Sequence, residues 1–286
     1  MNHERKTLNE WIKTYKFIGI KSTNFMEKIK FKKDYGIFVK EGEKYDDGFV
    51  SLRNYIKNNI DNNPLDDCHN IYFFGTFEAC QEYEEFHTLL NYDNDINFTY
   101  NQFLIDAEHR ALNLDGEFVP FNLFVRYSPR YYGKYGKEGQ VFLRPNSGMK
   151  TLHSGLVDIQ KNLPDLIKYQ KFNTNSDELV YISTPKSINL ECRFFIFNDE
   201  IVAHSTYLIN GECIAMENVP PESINYVNNY LKVVKKPGKA YVLDVALSEG
   251  NYKLIETNGY FTSALYDCNP EKIVQPLIQE INGIQQ

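Results

Sequence analysis

Asp244, Glu256 and Asn258 are the residues whose types and spacing point most directly to chemistry. They lie in AYVLDVAL (240–247) and YKLIETNGYF (252–261), two apolar stretches that read as β-strands. Glu256 and Asn258 are two apart, so on a strand they share a face. SEGN (248–251) between the stretches is a hairpin signal. If Ser248 pairs with Tyr252, Asp244 falls directly opposite Glu256. Opposed like charges on a sheet are destabilising. Two carboxylates and a carboxamide oxygen are instead hard oxygen ligands suited to Mg²⁺, which completes its shell with water and nucleotide phosphates when few protein carboxylates hold it. The other reading open at this point is the solvated face of an exposed hairpin.

Cations that could meet a nucleotide lie upstream. In GQVFLRPNSGMKTLHSG (139–155), Arg144 ends a predicted strand and Lys150 sits in a loop of small residues. Backbone N–H groups and cations in such a loop could close over phosphates, although the GxxxxGK[ST] phosphate-loop pattern is not present. In SINLECRFFIFND, Glu191 and Arg193 share one strand face, opposite Cys192 and Phe194. The planar guanidinium of Arg193 suits a transferring phosphoryl group, and a plain Glu–Arg pair on the sheet is the alternative. LVYISTPKSI (179–188) is apolar and β-branched up to a turn at Pro185, with Lys186 directly after. An adenine ring could lie against this segment and hydrogen-bond its backbone.

These residues need sheets to position them. From about residue 118 onward the chain is strand-rich: FVPFNLFVRY, GQVFLRP, LVYIST, CRFFIFN, EIVAHSTYLI, AYVLDVAL and YKLIETN. FNDEI (197–201) reads as a tight hairpin. PPESINYVNNYLKVVKK and NPEKIVQPLIQEI read as helices, the first with proline at its start and lysines at its end. SPRYYGKYGKEG (128–139) is expected to be either a mobile lid or a surface hairpin. Earlier, LNEWIKTYKF suggests a helix and YGIFVKEG a strand; DNNPLDD (61–67) is a loop. NIYFFGT followed by FEACQEYEEFHTLL has the strand–glycine–helix order of an α/β unit. The fold class is α+β, with antiparallel hairpins and few helices.

The bulk properties exclude several alternatives. At 286 residues the chain can bury a large core, and 42% hydrophobic content excludes a mainly disordered chain. No apolar run approaches the ~20 residues of a membrane helix. MNHERKTLNEW is charged and has no signal-peptide core, so a cytoplasmic protein without a membrane partner is expected. The five cysteines show no CxxC spacing and their number is odd, which points to reduced thiols. The six histidines show no zinc spacing. Residues 1–60 carry 13 basic and 8 acidic side chains, residues 61–120 carry 1 and 13, and the rest carry 17 of each. No block is basic enough to make nucleic acid the expected partner. The acidic block reads as a solvated surface or as an attractor of a basic partner.

In order along the chain, FLRP, NSGMKTLHSG, LVYIS, and an Asp followed by Glu-x-Asn on a final hairpin resemble the ATP-grasp fold. The phrasing RPNSGMKTLHSG…ECRFFIFNDEIVAHSTYL is most similar to the clade named for one arginine and two lysines, found in bacteria and phages. The eukaryotic cell-division-cycle ATP-grasp proteins, which help assemble a translation initiation factor, are more distant. Arg144 stands where better-known members carry lysine. The resemblance covers roughly 118–275. It implies an ATP-grasp domain at 118–286, with subdomains at 118–179 and 180–286 gripping ATP, preceded at 1–117 by a smaller α/β domain. It also implies ATP- and Mg²⁺-dependent carboxylate–amine (or carboxylate–thiol) ligation through an acyl phosphate, on a small-molecule, peptide or protein acceptor. Mg²⁺ falls to Asp244, Glu256 and Asn258. Phosphates fall to Arg144, Lys150 and Arg193, the last two being the catalytic candidates. Lys186 lies near the nucleotide, and the backbone of Val180, Tyr181 and Ile182 faces adenine. An ATP-binding assembly or chaperone-like module without ligation would share the same site.

Overall fold

Strands dominate the described residues after 117 because β-branched and aromatic residues recur there in short runs, three of them closed by a two-residue turn. A computed structural model describes residues 98–148, 154–159, 161, 177–234, 236–269, 272, 273 and 276. It also describes the backbone of two earlier strands, β1 (Tyr35–Phe38) and β2 (Asn70–Phe73), which pair in parallel with Tyr35 against Asn70. The helices expected at LNEWIKTYKF and FEACQEYEEFHTLL lie outside the described residues, as does most of the acidic block.

Helix α1 (Tyr100–Ala107) begins where the Thr99 side chain accepts the Gln102 N–H at 3.4 Å. Its buried residues, Tyr100, Phe103 and Ala107, fall at helical spacing on one face. A single 3₁₀ turn (Glu108–Arg110) follows, and the Leu112 N–H then donates to the Leu254 carbonyl at 2.8 Å.

Four antiparallel strands form the first sheet: β3 (Glu117–Pro120), β4 (Gln140–Pro145), β5 (Gly155–Asp158) and β6 (Leu179–Ser183), in the order β3-β6-β4-β5. FVPFNLFVRY is not the single strand that its composition suggests. After Pro120 it becomes helix α2 (Phe121–Arg126), because Phe121 and Phe124, three apart, both reach the core. SPRYYGKYGKEG is mostly not a hairpin: it opens with helix α3 (Ser128–Tyr135), whose Tyr131 and Tyr135 are buried four apart, and only its end forms a tight turn, where Lys137 and Gln140 exchange backbone hydrogen bonds. The proline near its start and the helical tyrosine spacing outweigh the glycines. These helices bury Phe121, Phe124 and Tyr131 against Val141, Leu143, Val180 and Ile182.

The second sheet has five strands: β7 (Leu190–Phe197), β8 (Glu200–Ile209), β9 (Glu212–Met216), β10 (Ala240–Ser248) and β11 (Asn251–Gly259), in the order β11-β10-β7-β8-β9. Three two-residue turns join its hairpins, at Asn198–Asp199, Asn210–Gly211 and Glu249–Gly250. All six turn residues have positive φ, between 47° and 83°. This is the type I′ geometry whose twist matches that of the strands. One sheet face packs Cys192, Phe194, Ile196, Tyr241, Leu243, Val245 and Leu254 against α1 and against helix α4 (Pro221–Val233). The chain passes from one sheet to the other at residues 184–189, past the boundary expected at 179/180. Strand β6 joins the two cores, since Val180 and Ile182 enter the first and Tyr181 the second.

Candidate functional site

The opposite face of the five-stranded sheet carries the polar residues singled out in the sequence. Asp244 pairs across strands with Glu256 on one side and with Arg193 on the other. The route to that register differs from the expected one. The tight Glu249–Gly250 turn sets Ser248 against Asn251, not Tyr252, and the pairing runs unbroken to Val245 against Leu254. Continued, it would set Ile255 against Asp244 and turn Glu256 into the apolar core, because a one-residue slip flips every side chain. A β-bulge absorbs Ile255, so Asp244 meets Glu256 while Leu254 stays on the core face. Glu256, Asn258 and Asp244 therefore lie together, and the Asn258 Nδ2 donates to Asp244 Oδ2 at 3.1 Å.

Both carboxylates face guanidinium groups. Arg193 grips Asp244 with two hydrogen bonds, Nε to Oδ1 at 2.9 Å and Nη2 to Oδ2 at 2.7 Å. A third nitrogen, Nη1, donates to the Ala264 carbonyl at 2.8 Å. Asp244 is fully buried and Arg193 is 5% exposed. Burial works against the Arg193 charge, but Asp244 outweighs it and holds the guanidinium protonated. The expected alternative of a Glu191–Arg193 pair is not what forms: Glu191 accepts the Tyr207 hydroxyl at 2.5 Å instead. Burial, reinforced by the charges of Asp244 and Glu256, pushes the Glu191 carboxyl above its usual range. Burial likewise keeps the Tyr207 phenol protonated and able to donate.

Arg144, at the end of β4 in the other sheet, forms an ion pair with Glu256. It thus joins the two sheets at the site. Its guanidinium lies over the Tyr100 ring, 4.4 Å from the centroid.

The remaining predicted residues are placed less uniformly. Lys150 lies outside the described residues. Lys186 bonds Asp115 at 2.8 Å. Burial would raise the Asp115 carboxyl, but Lys186 and the Thr184 N–H together hold it below its usual value. Val180, Tyr181 and Ile182 are interior to the first sheet, each matched to a residue of β3 and a residue of β4. Their backbone groups serve these two ladders rather than an open edge. The first backbone beyond both ladders is that of residues 184–189. The buried Ser183 hydroxyl, just before it, has no hydrogen-bond partner.

Sequence reasoning missed three aromatic side chains at the site. Tyr207 and Tyr266 stack face to face at 4.6 Å, and the Arg193 guanidinium lies over both rings, at 5.6 and 4.8 Å. Tyr100 was missed altogether. Thr99 as N-cap and the apolar spacing at 100, 103, 104 and 107 signal its helix, but nothing in that stretch signals its neighbour Arg144.

The donor set fits a hard divalent cation: oxygen-bearing side chains from adjacent strands, on one face, beside two guanidinium groups that would counter phosphate charge. Among the described residues, no group of three or more His, Cys, Asp or Glu is arranged for metal binding, so this set is two carboxylates and a carboxamide. No helix among them is long and apolar enough to cross a membrane.

Comparison with known proteins gives a family-model match over residues 127–275, to the ATP-grasp domain, family 2 of the clade named for one arginine and two lysines. No curated protein matches. Solved structures similar to this chain include the D-alanine–D-alanine ligase of Bacillus anthracis, at 12% identity over 87% of this chain and 93% of that one, with a TM-score of 0.49. The ATP-grasp ligase PsnB, in complex with a phosphomimetic variant of its minimal precursor, Mg and ADP, matches at 13% identity over 87% and 77%, with a TM-score of 0.43. Cdc123 of Schizosaccharomyces pombe matches at 12% identity over 61% and 88%, with a TM-score of 0.36.

Proposed function

This chain belongs to the ATP-grasp family, in family 2 of the one-arginine, two-lysine clade, and from that premise we propose that it is an ATP- and Mg²⁺-dependent ligase joining a carboxylate to an amine or thiol. The observation that carries this reading is the four-residue row Arg144, Glu256, Asp244 and Arg193, which runs from one sheet onto the other with Asn258 beside it. Two acidic ligands stand side by side there between two planar cations, which suits a metal-bound triphosphate.

Asp244, Glu256 and Asn258 would hold Mg²⁺, which when bound neutralises phosphate charge. Arg144 would then turn from the Glu256 carboxylate to phosphate, which its planar fork can grip with two hydrogen bonds. Lys150, five residues past the end of β4 in sequence, is assigned to the same phosphates. The carboxylate of the acceptor attacks the γ-phosphorus, forming an acyl phosphate and releasing ADP. The amine or thiol then attacks the acyl carbon, inorganic phosphate leaves, and the nucleophile gives up its proton. Arg193, held by Asp244, Ala264 and two tyrosine rings, is placed to meet charge on the transferring phosphoryl group without reorganising. For adenine, the backbone of 184–186 supports recognition better than that of Val180, Tyr181 and Ile182, because the ladders on both sides occupy those strand residues. Lys186, ordered by Asp115, stands beside that backbone. The acceptor is a peptide, a protein or a small molecule with a free carboxylate.

Thermal unfolding with and without ATP and Mg²⁺ tests the site. A ligand at a hundredfold excess over its dissociation constant stabilises by about 2.7 kcal/mol. Wild-type protein should show that gain, and Glu256→Ala and Asn258→Ala should lose most of it. An undiminished gain in Glu256→Ala would sink the metal assignment. ADP and phosphate released only when a carboxylate and an amine or thiol are both supplied support ligation. Tight binding without turnover across peptide and amino-acid panels points instead to an ATP-binding assembly module.

A further inference from the structure

We propose that Tyr100 is a positioning residue for the nucleotide site: its ring holds the Arg144 guanidinium at the junction of the two sheets, and α1 is the strap that fixes the ring there. This rests on the reading of Arg144 as a phosphate-binding residue. It goes beyond that reading, since Tyr100 lies outside the stretch matched by the family model.

The strap is tied to both sheets. At its start, the Tyr100 N–H donates to the Asn146 carbonyl at 2.8 Å, and the Asn101 N–H donates to the Asn146 side chain, also at 2.8 Å. Asn146 follows β4 directly, and its own N–H reaches the Leu179 carbonyl of β6 at 2.8 Å. Beyond its end, past the 3₁₀ turn, the Leu112 N–H donates to the Leu254 carbonyl of β11, two residues before Glu256. Tyr100 is thus anchored to the strand that carries Arg144 and, through Leu112, to the strand that carries Glu256. Its ring is 2% exposed, in edge contact with Tyr181 at 5.2 Å and stacked on Phe103 at 5.4 Å, so it has little room to tilt. A desolvated guanidinium over such a ring is held by the ring's electron density as well as by its shape. Arg144 is 8% exposed and has a long flexible stem. Without that platform, ordering it on binding would cost conformational entropy.

The test uses the full chain and MgATP itself as the probe, read by calorimetric titration. Tyr100 is replaced by phenylalanine, and then by phenylalanines carrying successively more ring fluorines, which drain ring electron density at nearly constant shape. Phenylalanine should bind MgATP within about twofold of wild type, and the most fluorinated ring about tenfold more weakly. Tyr100→Leu should fall at least as far. In an Arg144→Met background the fluorine series should go flat. A flat series in the wild-type background overturns the inference, because a packing role alone would not follow ring electronics. An equally steep series without Arg144 overturns it too. Wild-type protein that does not bind MgATP overturns the nucleotide reading and this inference with it.

Discussion

Arg193 on β7 and Asp244 on β10 meet as directly opposed residues, bonded at both ends of the carboxylate and almost entirely out of water. Each is the other's main charge compensation. Removing one partner leaves a buried ion uncompensated, which costs about 3–5 kcal/mol, whereas apolar replacement of both is close to neutral. Arg193→Met and Asp244→Leu should therefore each lower unfolding stability by that amount, and the double variant should recover most of it. Urea denaturation of the four proteins measures this directly. Additive losses in the double variant would show that the pair is not coupled.

Glu191 should give the folded state a recognisable pH dependence in metal-free buffer. Burial, then the charges of Asp244 and Glu256, raise its folded-state carboxyl above the ordinary value of 4.5. The folded state therefore binds a proton that the unfolded chain has released. The stabilisation associated with Glu191 is complete below about pH 4.5 and is lost as pH rises through the raised folded value. Glu191→Gln keeps an acceptor for the Tyr207 hydroxyl and has no charge to bury. It should be more stable than wild type at neutral pH, with the difference shrinking towards pH 4.5. Stability curves of the two proteins that stay parallel across this range would contradict the assignment.

The bulge at Ile255 makes a prediction about deletions. Without Ile255, Glu256 follows Leu254 directly and still falls opposite Asp244, so the ladder closes without a bulge. That variant should keep most of the MgATP-dependent rise in melting temperature. Deleting Thr257 instead sets Asn258 against Leu243, turns it to the core face, and should abolish the rise. The comparison fails if both deletions behave alike.

Much of this site was legible in the sequence, and the part that was not has identifiable physical causes. Local periodicity marked β7, β8, β10 and β11 and put Asp244, Glu256 and Arg193 on definite faces, because alternation is a property of one strand at a time. The pairing of Asp244 with Glu256 was anticipated through a turn one residue too long. The tight turn and the bulge offset each other, and a bulge leaves no compositional mark. FNLFVRY reads as a strand because aromatic residues favour strands in isolation, and SPRYYGKY reads as a loop or hairpin because of its glycines, whereas the aromatic spacing in both serves helices packed on a sheet. That β6 is an interior strand depends on β3 and β4, far away in sequence, so the engagement of its backbone could not be read from LVYIS alone. The Arg144–Tyr100 contact is equally non-local.

Gly148 supplies the last prediction, and it isolates the loop from the rest of the fold. A Cβ at this position would lie 2.8 Å from Phe98 Cβ and 3.0 Å from the Phe98 carbonyl oxygen. The carbonyl is backbone, next to the Thr99 cap of α1, and has little freedom to yield. The loop would have to move instead, carrying the chain that leads from Arg144 towards Lys150 away from α1. Gly148→Ala should therefore weaken MgATP binding by about tenfold, while unfolding stability falls by only about 1–3 kcal/mol, as for other small-to-large changes at a tight contact. Gly139, which has positive φ and open space around its Cβ position, serves as the control. Gly139→Ala should cost stability of order 1 kcal/mol through backbone strain and leave MgATP affinity unchanged. Equal losses of affinity in the two variants would mean that the contact between Gly148 and Phe98 does not position the loop.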